Sequence, residues 1–170
     1  MAIVQNMLKS VLGHDGQAYM EGKTYCAQFE VGNDFRAYCC ENASCLRRWL
    51  IGIVREHFPD IKPDVAIGLG EAATNAFKHC EVLDGAQLAV SAKVKYIKDL
   101  GVIAVEIVNL GMNCPSVECD LPLDALAEGK RGLPIIKALE DDDILRNVRF
   151  ESVKLEGIPA VKFSCEVPIT

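Results

Sequence analysis

The stretch Gly68-Leu-Gly-Glu71-Ala-Ala-Thr-Asn75-Ala-Phe-Lys78-His79 holds the side chains whose types and spacing best suit chemistry. On a helix of about 3.6 residues per turn, Glu71, Asn75, Lys78 and His79 fall on one stripe. Val65, Leu69, Ala72, Ala73, Ala76 and Cys80 fall on the other side, ready to dock on a sheet. A glutamate can take a proton from an attacking hydroxyl or water. An asparagine carbonyl offers a hard oxygen to Mg²⁺, which takes few protein ligands. A lysine and a histidine can meet phosphate oxygens. The same stripe is also what an ordinary solvated helix face looks like, so spacing alone leaves both readings open.

A helix is predicted from Pro63 to about Cys80, since Pro63 suits a first helical turn and Asp64 beside it favours the helix dipole. Another is predicted over about Phe35 to Phe58, where Leu46, Trp49, Leu50, Ile53 and Val54 recur at helical spacing and Pro59-Asp60 closes the run. Lys23 to Val31 reads as a strand, and the first twenty or so residues as an irregular or extra segment. Alternation from Gln87 to Ile97, a turn at Lys98-Asp-Leu-Gly101 and the apolar run Val102 to Val108 predict a hairpin. A loop follows from Asn109 to Asp120, then a short helical piece near Leu123 to Ala127 and a third helix from about Pro134. Val148 to Leu155 and Ala160 to Val167 predict a second hairpin, turned by Glu156-Gly-Ile-Pro159. The order is strand, helix, helix, two strands, helix, two strands. It implies an α+β, two-layer α/β sandwich, a mixed sheet with helices on one face. We divide the chain into an N-terminal extension, residues 1–22, and one domain, residues 23–170.

A length of 170 residues and 50% hydrophobic content suit a single well-filled core. No apolar run approaches the ~20 residues that span a bilayer, and the first ten residues do not read as a signal peptide. The expected compartment is the cytoplasm, with no membrane partner. A net charge of −6 argues against a general nucleic-acid binder. Arg47, Arg48 and Arg55 share one predicted helix and could meet an acidic partner, or simply form a solvated face. The eight cysteines include no Cys-x-x-Cys pair and no zinc-finger spacing. Buried structural thiols are the expectation, with a metal or redox role for Cys39, Cys40 and Cys45 as the alternative.

Glu71-x-x-x-Asn75-x-x-Lys78-His79, set in "EAATNAFKH", resembles the N-box of the GHKL ATPases, the superfamily of gyrase-type topoisomerases, heat-shock chaperones and histidine kinases. Its wording is similar to the anti-sigma-factor serine/threonine kinase branch. Two further segments follow in the family's order. Asn109-Leu-Gly111-Met-Asn113 stands where the family carries its Asp-x-Gly-x-Gly adenine motif, with asparagine in place of the aspartate and of the second glycine. Glu128-Gly129-Lys-Arg131-Gly132-Leu133 resembles the glycine-rich lid, where glycines let backbone approach phosphate ahead of a helix N-terminus. The resemblance spans roughly residues 23–167 and implies the GHKL (Bergerat) type of sandwich. It implies ATP and Mg²⁺ as cofactors, Glu71 as catalytic base and Asn75 as the Mg²⁺ ligand. Nucleotide contacts would come from Asn75, Lys78, His79, Asn109, Gly111, Gly129, Arg131 and Gly132. The implied function is an anti-sigma factor that phosphorylates a serine or threonine of an anti-sigma-factor antagonist. Its implied partners are that antagonist, a sigma factor and a second copy of itself. The alternative is a GHKL-fold regulator that binds partners with weak or no nucleotide chemistry.

Overall fold

The computed structural model describes Leu12 and residues 16–32, 34–115 and 132–169. Strands β1 (Gly16–Glu21) and β2 (Thr24–Glu30) form a hairpin, followed by helices α1 (Cys39–His57) and α2 (Pro63–Lys78). A second hairpin, β3 (Leu88–Ile97) and β4 (Val102–Leu110), precedes α3 (Gly132–Asp141) and a third, β5 (Arg146–Leu155) and β6 (Ile158–Pro168). The six strands lie in the order β1-β2-β3-β4-β6-β5.

The fold is α+β, with helices packed on the sheet, but the sheet is antiparallel throughout rather than mixed. The connections explain this correction. Between β2 and β3 the chain makes two helical passes, which return it to the end of the sheet where β2 finished. Between β4 and β5 it makes one described helical pass, α3, so those two strands do run parallel. β6 lies between them and pairs with both in the opposite sense.

Each strand sends alternate side chains to the helices. Tyr25, Ala27 and Phe29 of β2 stand opposite Val94, Ala92 and Val90 of β3, and all six are buried. The same face continues as Ile103, Val105 and Ile107 on β4 and as Val167, Cys165 and Phe163 on β6. The other face is polar, as the row Lys93, Glu106, Ser164 and Arg149 across four strands illustrates. From α1 the core receives Leu46, Trp49, Leu50, Ile53 and Val54, and from α2 Val65, Leu69, Ala72, Ala73, Ala76 and Phe77. The Phe77 ring meets Phe29 edge-on at 4.9 Å and stacks on Phe35 at 6.0 Å.

Several boundaries differ from the sequence reading. Phe35 is not helical, because residues 34–38 form turns that carry its ring onto Phe77. The α1 ladder starts where the Asn42 amide donates to the Tyr38 carbonyl at 2.8 Å. Gly16–Glu21, within the part read as irregular, is one of the sheet's two edge strands and pairs over its whole length with β2. Helix α3 includes Gly132 and Leu133 ahead of Pro134. A proline is tolerated in the first turn, where backbone N–H groups have no intrahelical partner. The β5–β6 turn needs only Glu156 (φ 52°) and Gly157 (φ 85°), so Ile158 and Pro159 already belong to β6. Two consecutive positive φ values are what a two-residue hairpin turn demands. The short helical piece near Leu123 to Ala127 lies outside the described residues.

Candidate functional site

Between α2, the end of β4 and the β5–β6 hairpin lies a cavity of about 480 Å³. Such a volume falls within the ~300–1,000 Å³ typical of small-molecule sites. Its polar wall comes from Asn75, Lys78, His79, Glu81, Asn109 and Asn113, and its apolar wall from Leu133, Phe150, Val161 and Phe163. The sheet supplies most of the apolar wall because Asn109 and Val161 share one register position and Phe150 and Phe163 the next.

Helix α2 meets this cavity along Ala72, Asn75, Ala76 and His79, at the i, i+3, i+4, i+7 spacing of a single face. That face is rotated from the stripe marked by Glu71, Asn75, Lys78 and His79. Ala72, Ala76 and Cys80, expected on the opposite side, are part of the wall. The two alanines leave room that larger side chains would fill. Glu71 does not line the cavity. It sits half-buried on the preceding turn, against the start of α3.

Gly132 makes that junction close. A β-carbon built on it would stand 2.8 Å from Asn75 Nδ2, 2.9 Å from Glu71 Oε2 and 3.1 Å from Asn75 Oδ1. The glycine singled out as part of a phosphate-side lid therefore lies against the carboxylate and the carboxamide singled out as base and metal ligand. A carboxylate oxygen and an amide oxygen on adjoining turns fit a hard cation that takes few protein ligands. Among the described residues no group of three or more His, Cys, Asp or Glu is arranged to hold a metal.

At the other end of the cavity, Asn109 is buried on β4. Its Nδ2 donates to the Leu110 carbonyl at 3.1 Å and, more weakly, to the His79 carbonyl at 3.5 Å. An aspartate could make neither bond while ionised. With its nitrogen donating to the backbone, the Asn109 side chain has an amide oxygen as its other polar atom, which can only accept. Gly111 follows closely, and a β-carbon there would lie 3.5 Å from the His79 carbonyl. Gly129 and Arg131 lie outside the described residues.

The structure thus brings Asn75, Lys78, His79 and Asn109 to one cavity, with Gly111 behind His79 and Glu71 and Gly132 at its margin. Sequence reasoning missed the contribution of the β5–β6 hairpin. Its signal is the aromatic and branched alternation of Phe150, Val161 and Phe163 within segments that the sequence reading assigns only to a hairpin. It also missed Cys80 and Cys114, which line the same space. Burial pushes the Cys80 thiol up to about 11.

The other cysteines singled out do not share one environment: Cys45 is buried, Cys39 half-buried and Cys40 exposed. Arg47, Arg48 and Arg55 all reach the α1 surface. Arg47 lies across α2 so closely that a β-carbon on Gly70 would meet its Nε at 2.9 Å. No family model matches the chain, and no curated protein matches it.

Proposed function

We propose that the cavity is a nucleotide pocket of the GHKL (Bergerat) type, and that the protein is an anti-sigma factor phosphorylating a serine or threonine of an antagonist protein with ATP. The observation that carries this reading is the seat of Gly132 against Glu71 and Asn75, beside a cavity walled by Asn75, Lys78, His79 and Asn109. Residues far apart in the chain, chosen for one chemistry, converge there.

In this reading Asn109 accepts a bond from the base through its side-chain oxygen. Lys78 and His79 would lie on the phosphate side, and Asn75 would hold Mg²⁺. The cation, when bound, supplies charge neutralisation on the transferring phosphoryl group. Glu71 would hold the acceptor hydroxyl and take its proton as the new P–O bond forms and the bond from the γ-phosphorus to the leaving ADP breaks. The phosphate placed on the antagonist adds charge that repels it from the kinase, freeing the kinase for a sigma factor. The exposed Arg47, Arg48 and Arg55 are the surface offered to an acidic protein partner or a second copy of the chain. The cytoplasm is the compartment that suits this role.

A second reading is a partner-binding regulator of the same fold with little or no transfer chemistry. Two observations favour it: Glu71 stands outside the cavity wall, and Asn109 and Asn113 offer the base only neutral amides. Calorimetric titration with Mg²⁺-ATP separates the two. The kinase reading expects binding heat that is lost in Asn75→Ala and kept in Glu71→Ala. With labelled ATP and an acceptor protein, Glu71→Ala should then transfer about 10²- to 10⁴-fold more slowly. An absence of heat with the unaltered protein rejects the nucleotide pocket itself.

A further inference from the structure

The first turn of α1 and the chain leaving α2 lie side by side, and each carries a thiol. The two helices pack antiparallel. Arg47 crosses α2 at Gly70, and eight residues back along α1 and eight forward along α2 stand Cys39 and Lys78. The rings agree with this match, since Phe35, just ahead of α1, stacks at 6.0 Å on Phe77 in the last turn of α2. Both thiols are anchored to that ring pair. Cys39 Sγ donates to the Phe35 carbonyl at 3.3 Å, and the Cys80 amide donates to the Phe77 carbonyl at 3.4 Å. Both side chains are half-buried against the same core. Burial raises both thiols, that of Cys80 to about 11; Cys39 adds to the rise at Cys80, and the Arg36 charge lowers both. Cys26, Cys45 and Cys165, by contrast, are 1–2% exposed, out of reach of a solute oxidant.

We propose that Cys39 and Cys80 form a dithiol modification site, in which a hydroperoxide oxidises Cys39 and Cys80 then closes a disulfide between α1 and the segment leaving α2. In the first step Cys39 gives up its proton and its sulfur attacks the terminal oxygen of the hydroperoxide. An S–O bond forms, the O–O bond breaks and the leaving oxygen takes up a proton as an alcohol (or water), giving a sulfenic acid. In the second, the Cys80 sulfur attacks that sulfenic sulfur. The S–S bond forms, the S–O bond breaks and the leaving hydroxide departs as water with the Cys80 proton. Two thiols and one hydroperoxide yield one disulfide, one alcohol and one water. The order of attack follows from the helix ends, because the thiolate is the nucleophile. Cys39 is the first residue of α1, where free N–H groups favour an anion; Cys80 lies just past α2, where unpaired carbonyls disfavour one. A thiol raised from 9.0 to about 11 holds about a hundredfold less thiolate at neutral pH than an unperturbed one. Cys80 is thus suited to resolve, not to initiate. The bridge closes a loop that contains both helices, which restricts the unfolded chain more than the folded one.

The test treats the reduced full chain with one equivalent of hydrogen peroxide at neutral pH, blocks free thiols with N-ethylmaleimide and maps peptides by mass. The expected product is a Cys39–Cys80 cross-link within one chain, reversed by dithiothreitol. A Cys39–Cys40 or Cys80–Cys114 link, a link between chains, or the absence of any disulfide overturns the proposal. In Cys80→Ser, dimedone should trap Cys39 as its sulfenic acid; in Cys39→Ser, Cys80 should stay reduced, and its oxidation there refutes the order of attack. The unaltered, reduced protein gives a check that needs neither oxidant nor variant. One equivalent of phenylarsine oxide, which bridges two adjacent thiols, should protect both Cys39 and Cys80 from N-ethylmaleimide. Labelling of either at its untreated rate refutes their pairing. The cross-linked form should melt several degrees above the reduced form, and a melting temperature at or below the reduced value shows that the two segments are not placed to be joined. All these readouts are independent of ATP.

Discussion

Replacing Gly132 with alanine separates a glycine needed by the site from one needed by the fold. The backbone at Gly132 lies outside the left-handed region, so an L side chain is not strained there. Within a helix the change gains about 0.5–1 kcal/mol in intrinsic preference, less near a terminus. Against that, the new methyl would start 2.8 Å from Asn75 Nδ2 and 2.9 Å from Glu71 Oε2. Comfortable separation is about 3.5 Å, so each side-chain end must withdraw by about 0.6 Å. Both ends belong to flexible side chains and can do so without disturbing the core. Stability should therefore hold to within about 1 kcal/mol, while the two groups move off their positions. Displacements near 1 Å in a positioned site cost up to about 10²-fold in rate. We expect Gly132→Ala to melt within a few degrees of the parent and to lose about 10- to 100-fold in Mg²⁺-ATP affinity or phosphoryl transfer. Thermal melting followed by circular dichroism reads the first quantity, and calorimetry or labelled-ATP transfer the second. A variant that melts normally and binds normally refutes the functional role of the Gly132 contact. A fall of several kcal/mol in stability shows instead that Gly132 serves packing.

Gly68→Ala should behave in the opposite way, since its new methyl would meet Leu139 Cδ1 of α3 at 2.7 Å and Leu145 Cδ1, just ahead of β5, at 2.9 Å. Overpacking of this kind costs about 1–3 kcal/mol; denaturant unfolding should show a net loss that a second change, Leu145→Val, partly restores. The alkaline limb of stability should be steep, because burial holds Cys165 at about 12 and Cys80 at about 11 while the unfolded thiols titrate near 9. Both folded pKa values are raised. Their contribution is full below pH 9 and is lost with rising pH, by about 1.4 kcal/mol per pH unit for each thiol, until the folded thiol itself titrates. Cys165→Ala should flatten that limb relative to its own value at pH 7, and an unchanged slope refutes the assignment.

The legible parts of the chain were those where one period dominated. Apolar spacing in α1, and Pro63 with Asp64 at the start of α2, announce both helices, and alternation with Gly101 or Gly157 announces two hairpins. Strand β1 was harder to see because its helix-facing side carries only Gly16, Ala18 and Met20, too little apolar bulk to stand out. Its place is visible only from β2, whose own register needs a partner. The antiparallel sheet was hidden because the order of elements does not say that β6 slips between β4 and β5. At the site, the residue types on α2 were readable and the rotation of the helix was not. Helical spacing groups Glu71 with Asn75, but only the packed sheet decides that Ala72 and Ala76 look into the cavity while Glu71 faces Gly132.

Three of the five strand pairings are hairpins, formed between neighbours in the chain; the other two, β2 with β3 and β4 with β6, join distant segments. Long-range closures cost chain entropy that only the finished contacts repay. The cavity sits on one of these seams, with Asn109 on one side and Val161 on the other. Isolated hairpins can exist without it, but none of them displays the pocket before β4 and β6 have paired. A ligand held there is bound by the entire native state, so its binding free energy adds to global stability by mass action rather than stiffening one loop.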